Sequence, residues 1–136
     1  MQLQEVPWGR ALVVWFVIIL AESVHGTLRT LYLAPLIGDF PARRLGVLIG
    51  TLLIFLIALA FIRWINARRR TALIWIGLLW VVLTVLFEVG LGRRALGYDW
   101  DRILIDYDLS RGGLMGFGLL AMLFIPLLAA RLRGVA

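Results

Sequence analysis

Three polar residues, Glu22, His25 and Arg29, interrupt an apolar run near the start of the chain. Because they are spaced at i, i+3 and i+7, they share one stripe of a helix. A fourth, Glu88, lies deep in a later apolar run. A charge inside a bilayer costs about 2.5–3.5 kcal/mol on insertion scales, so such residues usually face a bundle interior or water. These four residues form the candidate substrate- or proton-binding cluster.

The cluster has three chemical interpretations. In the first it is structural: Arg29 pairs with Glu22 or Glu88, His25 donates to the other carboxylate, and the pairs set the register of the helices. In the second, Glu22 or Glu88 holds a proton or cation, and His25 relays the proton. In the third, Glu22 and His25 bind a metal, or His25 ligates a haem, which a second copy of the chain has to complete.

The composition indicates a membrane protein with little redox or metal chemistry. Of 136 residues, 62% are hydrophobic and 16% charged, whereas soluble domains are about 45–50% apolar and about 25% charged. The chain has no cysteine, which excludes disulfides and thiolate metal sites, and its one histidine excludes a multi-histidine cage. We predict no catalytic residue and no resident cofactor, with a haem or metal at His25 as the minor alternative.

Four apolar runs are each long enough to cross a bilayer as a helix. They cover residues 7–33, 44–64, 71–91 and 112–130. Their connectors are too short to fold separately. The sequence therefore predicts an all-α integral membrane protein, built as one four-transmembrane-helix bundle over residues 1–136.

The connector between the third and fourth spans has a helix signal of its own. Its apolar residues are spaced to share one helix face: Trp100, Ile103, Leu104 and Tyr107. Asp99 precedes them as the predicted N-cap. We predict a short interfacial amphipathic helix over about residues 99–109, between helices 3 and 4. Two arrangements stay open: the helix floats on the membrane surface, or it folds back as a lid over the bundle.

Further charges are expected around the mouth of the bundle. Spans one and three run in the same direction, so Glu22 and Glu88 should lie at similar depth, in the membrane half nearer the connector. The predicted mouth cluster above them consists of Arg93, Asp106, Asp108 and Arg111.

Small residues at helical spacing predict where the helices pack. Pairs of glycines four apart let helices approach closely in lipid. Two such pairs are the predicted packing seams: Gly46 with Gly50, and Gly112 with Gly116. Asp39 is expected to cap the second helix, with Pro41 in its first turn.

The basic residues bear on partners and orientation. All 14 are arginine and the net charge is +6, which suits anionic lipid headgroups. Nucleic acid is not an expected partner, because the arginines lie at span ends rather than on one soluble face. The arginines divide equally between the two sides, and the triplet at residues 68–70, which lies close to two spans, decides the orientation. We predict the cell (inner) membrane, with both ends of the chain cytoplasmic.

Two functions are consistent with these features. The first is a small polytopic membrane protein that binds or passes a proton or small polar solute through Glu22, His25 and Glu88, with Arg29 as counter-ion. It is expected to be a homo-oligomer, since four spans enclose little space. The alternative is a non-catalytic accessory or structural subunit of a larger membrane complex.

Overall fold

The computed structural model describes residues 6 to 135, and this part of the chain is helical with no strand. Five helices are labelled here in chain order: α1 Trp8–Leu28, α2 Asp39–Ile65, α3 Arg70–Gly90, α4 Trp100–Ile105 and α5 Met115–Leu132. All but α4 are long and apolar enough to cross a membrane. The all-helical fold with four helices of this kind is as predicted.

Two of the long helices continue through a widened π-type turn. After α1 the chain forms the turn Arg29–Leu33 and one further helical turn, Ala34–Ile37. After α3 it forms the turn Leu91–Ala95. The continuous apolar helices therefore extend over Trp8–Ile37 and Arg70–Ala95, further than the sequence predicts. Such turns are often found at functional sites.

The helix starts differ from the prediction at two glycines. Gly38 has a φ of 94° and directly precedes α2, so that helix begins at Asp39 instead of residue 44. The Asp39 side chain makes no cap, contrary to expectation, while Pro41 does lie in the first turn. Gly112 has a φ of 87° in a left-handed turn, so α5 begins only at Met115.

The helices meet at close backbone approaches. Gly77 of α3 lies so close to α5 that an added Cβ would overlap the backbone carbonyl of Leu123. Gly46 and Gly50 of α2 lie against side chains of α1. Gly112 and Gly116 do not form the predicted seam: Gly112 is outside the helix, and Gly116 has open space where a Cβ would stand.

Two buried tryptophans join α1 to α3. The Trp80 Nε1–H donates to the carbonyl of Ala11 at 2.9 Å, and the Trp15 Nε1–H donates to Thr84 Oγ1 at 3.1 Å. Trp80 has no exposed surface and Trp15 only 8%. We call Trp15, Trp80 and Thr84 the tryptophan layer. It holds α1 and α3 together in the half of the bundle nearer the chain ends.

The outer surface of the bundle is apolar. Each long helix exposes large aliphatic side chains, among them Leu20 (68%), Leu48 (62%), Leu86 (65%) and Leu120 (54%). Continuous apolar exposure on this scale is unusual for a protein in water. It is the surface that hydrocarbon chains would cover, which agrees with four candidate membrane-spanning helices.

Candidate functional site

A cavity of about 600 Å³ lies between the long helices, on the connector side of the tryptophan layer. The structure brings all four residues of the predicted cluster to its wall: Glu22, His25, Arg29 and Glu88. Glu22 and His25 come from α1, and Arg29 is the first residue of the widened turn that continues it. Glu88 comes from α3, one turn above Thr84. The two widened turns, Arg29–Leu33 and Leu91–Ala95, therefore lie beside or within the cluster.

The carboxylate of Glu22 occupies space that a glycine leaves free. A Cβ added to Gly50 would stand 2.7 Å from Glu22 Oε2. The His25 Nδ1 lies 3.8 Å from the same oxygen. The other oxygen, Oε1, is buried and has no hydrogen-bond partner. Glu22 therefore lines the cavity with a carboxylate of which one buried oxygen has no hydrogen-bond partner.

Arg29 is held against α2 without an acidic partner. Its side chain packs on Gly46, where an added Cβ would stand 3.1 Å from Cδ, and its buried Nε has no hydrogen-bond partner. Among residues 6–135, no ion pair within 4.0 Å joins Arg29 to Glu22 or Glu88. The direct pairing expected from the structural interpretation is thus not formed, and the Arg29 side chain lies against Gly46 of α2 instead.

Glu88 is accessible from the cavity. The residue is exposed, although it lies in a span and lines the space between the helices. In the described part of the chain its carboxylate has no hydrogen bond or ion pair. Two carboxylates and one guanidinium therefore share a cavity without pairing directly to one another.

The connector folds over the mouth of this cavity. Arg43 of α2 donates to the carboxylate of Asp106 at 2.9 Å. Arg102 of α4 donates to Asp39, and Ile103 is buried against Gly92. Of the two arrangements left open by the sequence, the structure shows the folded-back one. We call this segment, residues 98–113, the lid.

The lid retains the local features predicted for it. The Asp99 side chain accepts a hydrogen bond from the backbone N–H of Arg102 at 2.9 Å, so the predicted N-cap is confirmed. The predicted apolar face is divided. Ile103 points to the bundle and is 8% exposed, whereas Trp100 and Leu104 are 50% and 55% exposed.

The predicted mouth cluster does not assemble as a ring. Of its four members only Asp106 lines the cavity. Arg93 donates to the carbonyl of Tyr98 at 3.0 Å, with its guanidinium 4.9 Å from the Trp100 ring centre. Arg111 lies 3.9 Å from Asp108 on the surface.

The cations at the mouth are instead Arg43 and Arg102, which sequence reasoning missed. The spacing of Asp39 and Arg43 at i, i+4 is a signal that could have indicated one of these pairs, and the atoms lie 3.3 Å apart. The pairs with Arg102 and Asp106 cross from α2 to the lid. They depend on the lid folding back, for which no local pattern exists.

Two titratable groups of the lid are affected by their surroundings. Burial raises the pKa of the Asp106 carboxyl, and the positive charge of Arg43 opposes that effect. Burial also raises the pKa of Tyr107 to about 12, with the carboxylates of Glu88 and Asp106 adding to it. Tyr107 lines the cavity, so at neutral pH it presents a phenolic O–H there.

Few side chains that could ligate a metal ion lie together in the cavity. In the described residues, no three histidine, aspartate or glutamate side chains are grouped to hold an ion. Glu22 and His25 would provide two ligands from one chain, and tetrahedral metal sites need three or four. One chain alone therefore falls short of such a site, and a metal or haem shared between two copies stays a prediction.

The fold and the site together define a class: an all-helical chain whose four long apolar helices enclose an ionic cavity under a folded-back connector. No protein-family model, curated protein or solved structure matches the chain. The geometry of the cavity is thus the basis for assigning a function.

Proposed function

We propose that the protein is integral to the cell membrane and binds, and passes across it, a proton or small polar solute at the cluster Glu22, His25, Arg29 and Glu88. The observation that carries the proposal is that two carboxylates and a guanidinium face one cavity without forming ion pairs. Charged groups left in this way inside an apolar bundle are costly, and they commonly mark ion or substrate pathways.

The charge balance of the cavity favours a cationic occupant. At the mouth, Arg43 and Arg102 are neutralised by Asp106 and Asp39. Deeper in the cavity, the two carboxylates of the cluster face a single guanidinium and the imidazole of His25. When both carboxylates are ionised, the cluster has an excess negative charge that attracts a proton or a cationic group. In this proposal Glu22 and Glu88 bind, Arg29 is the counter-ion and His25 passes protons to Glu22.

The proposal includes an orientation in the membrane. Arginines at the end away from the cavity hold helix ends together: Arg10 donates to the carbonyl of Trp64 at 2.7 Å, and Arg63 to that of Arg133 at 3.1 Å. With the triplet at residues 68–70 they support cytoplasmic placement of this end. The lid then lies at the outer surface, with Trp100 at headgroup level. We also propose a homo-oligomer.

Replacing Glu22 by glutamine tests the function. We expect Glu22→Gln to reduce potential-driven proton uptake into proteoliposomes by at least about tenfold, because the amide cannot release a proton. The measurement is the fluorescence of an enclosed pH dye after a potassium diffusion potential is applied. Asp101→Asn, which removes an exposed carboxylate of the lid, is the matched control and should retain wild-type uptake.

The same experiment distinguishes transport from a structural role. Uptake by Glu22→Gln at the wild-type rate would contradict the proposal. Loss of uptake accompanied by an equal loss of thermal stability would favour the accessory-subunit alternative. A foreign chain in stoichiometric amount after mild purification from the host would favour it as well.

A second variant tests whether the position of the Glu22 carboxylate matters. An alanine at Gly50 would place its Cβ 2.7 Å from Glu22 Oε2, so the carboxylate has to move. Because that oxygen is the end of a flexible side chain, the fold should tolerate the change. We expect Gly50→Ala to lose proton uptake while its unfolding temperature stays near the wild-type value. Gly116→Ala, where nothing lies within 4 Å, should retain both.

A further inference from the structure

The cavity is larger than a proton pathway requires. Its volume of about 600 Å³ is many times the roughly 10–15 Å³ that one water molecule needs. Pockets for organic ligands commonly measure about 300–1,000 Å³. A chain of waters linking two carboxylates would fill only a fraction of this space, so the remaining volume suits an organic molecule.

The cavity wall is divided into an ionic and an apolar region. The ionic region lies towards the lid and contains the cluster. Side chains at the tryptophan-layer end are aliphatic, aromatic or thioether groups: Ile18, Ile54, Phe87, Leu119 and Met122. On α1, Ile18 is four residues before Glu22, which is about 6 Å along the helix. The occupant should therefore have a polar head and an apolar body.

The ionic region contains an acceptor and a donor that have no hydrogen-bond partner. The buried Oε1 of Glu22 is an acceptor without a partner, and the buried Nε of Arg29 is a donor without one. A simple cation would leave the guanidinium of Arg29 without a partner, and a simple anion would leave the carboxylate of Glu22 without one. Unpaired buried groups cost about 1–3 kcal/mol, and more if charged. A head that carries both an ammonium and an anionic group offers a partner to each of these two charged side chains, which both line the cavity.

We infer that the cavity binds an amphiphile whose head joins an ammonium to a phosphate, as in a phosphatidylethanolamine lipid. The phosphate pairs with Arg29, because a guanidinium can donate two parallel hydrogen bonds to a phosphate. The ammonium lies between Glu22 and Glu88. Acyl chains occupy the apolar region. This inference rests on the proposed binding role of the cluster and adds the chemical class of its ligand.

Few polar contacts between α1 and α3 would oppose the entry of such a lipid from the bilayer. These helices are joined by the two tryptophan hydrogen bonds. Between the tryptophan layer and the lid, within residues 6–135, no side-chain hydrogen bond or ion pair links them. The cavity reaches both helices along this stretch. A lipid entering there would keep its chains in hydrocarbon.

Ligand binding to the full chain in a mild detergent tests the inference. Delipidated protein is titrated with dioctanoyl phosphatidylethanolamine, dioctanoyl phosphatidylglycerol or free phosphoethanolamine, and complexes are counted by native mass spectrometry. We expect one phosphatidylethanolamine per chain. The phosphatidylglycerol lacks the ammonium and the phosphoethanolamine lacks the chains, so both should bind at least about tenfold more weakly. Equal binding of the two lipids would overturn the inference. If free phosphoethanolamine bound as tightly as the lipid, the claim that acyl chains occupy the apolar region would be overturned.

Variants assign the contacts and separate this inference from the proposed function. Arg29→Gln and Glu22→Gln should each weaken phosphatidylethanolamine binding by at least about tenfold. Arg94→Gln, an exposed arginine outside the cavity wall, should leave it unchanged. Wild-type affinity in Arg29→Gln would overturn the inference. If the protein takes up protons but binds the two lipids equally, only the inference about the lipid ligand is refuted. If it binds phosphatidylethanolamine selectively but takes up no protons, only the proposal of proton passage is refuted.

Discussion

Replacing Gly77 by alanine is expected to destabilise the protein by about 3 kcal/mol or more. The added Cβ would overlap the backbone carbonyl of Leu123 on α5, and a backbone carbonyl cannot turn aside as a side chain can. The two helices would have to separate along their contact. In lipid, this contact is held by van der Waals packing, because apolar burial adds little between helices there. A small separation therefore costs much of the interaction.

Thermal unfolding in detergent, followed by circular dichroism, measures this effect. Gly116→Ala is the matched control, since it adds the same methyl group to α5 where nothing lies within 4 Å. It should leave stability unchanged or raise it by up to about 1 kcal/mol, because alanine forms helix more readily than glycine. If Gly77→Ala unfolded at the wild-type temperature, α3 and α5 could not be in direct backbone contact.

Replacing Arg43 by glutamine is expected to cost about 2–3 kcal/mol and to release the lid. Arg43 donates to the Asp106 carboxylate at 2.9 Å and lies 3.3 Å from that of Asp39. It also donates to the backbone carbonyl of Arg102 at 3.3 Å. Its loss would leave the partly buried Asp106 charge without a strong partner, and α2 would lose its tie to the lid.

The pH dependence of the Arg43→Gln variant has a definite sign. Burial raises the pKa of Asp106 in the folded state, and removing the Arg43 charge that opposes burial should raise it further. An acid with a raised folded pKa favours folding below its unfolded pKa and loses that benefit as pH rises through the folded value. The variant should therefore be least stable, relative to the wild type, at neutral and alkaline pH.

This pair can be tested by unfolding curves at acid and neutral pH. The variants are Arg43→Gln, Asp106→Asn and the double variant. The double variant replaces the ion pair by a neutral one, and it should recover some of the stability lost in Arg43→Gln. Simple additivity of the two single effects would show that the residues do not interact. Proteolysis within the lid gives an independent measure of its release.

Sequence periodicity was sufficient for features that are local to one helix. Glu22, His25 and Arg29 share a face because their spacing follows the helical repeat, and Glu88 reaches the same cavity because α1 and α3 run in the same direction. The Asp99 cap is similarly local. In these cases the helix itself positions the side chains, so no knowledge of the tertiary contacts is needed.

Features that depend on two distant segments were not predictable in this way. The pairing of Arg43 with Asp106 requires the lid to fold back, and the sequence left that open. Gly112 and Gly116 have the spacing of a packing seam, but the left-handed turn at Gly112 removes it from the helix. The contact at Gly77 involves one glycine and a backbone carbonyl of another helix, which leaves no spacing signal.

The tryptophan layer also limits what can cross the bundle at rest. None of Ala11, Trp15 and Trp80 lines the cavity, which thus reaches one end of the bundle only. To pass towards the chain ends, a polar solute would have to break the hydrogen bonds of both indoles in surroundings where water cannot replace them. If the protein lies in the cell membrane as proposed, the layer would therefore act as a seal, and a resting cell would keep its ion gradients with many copies of the protein present.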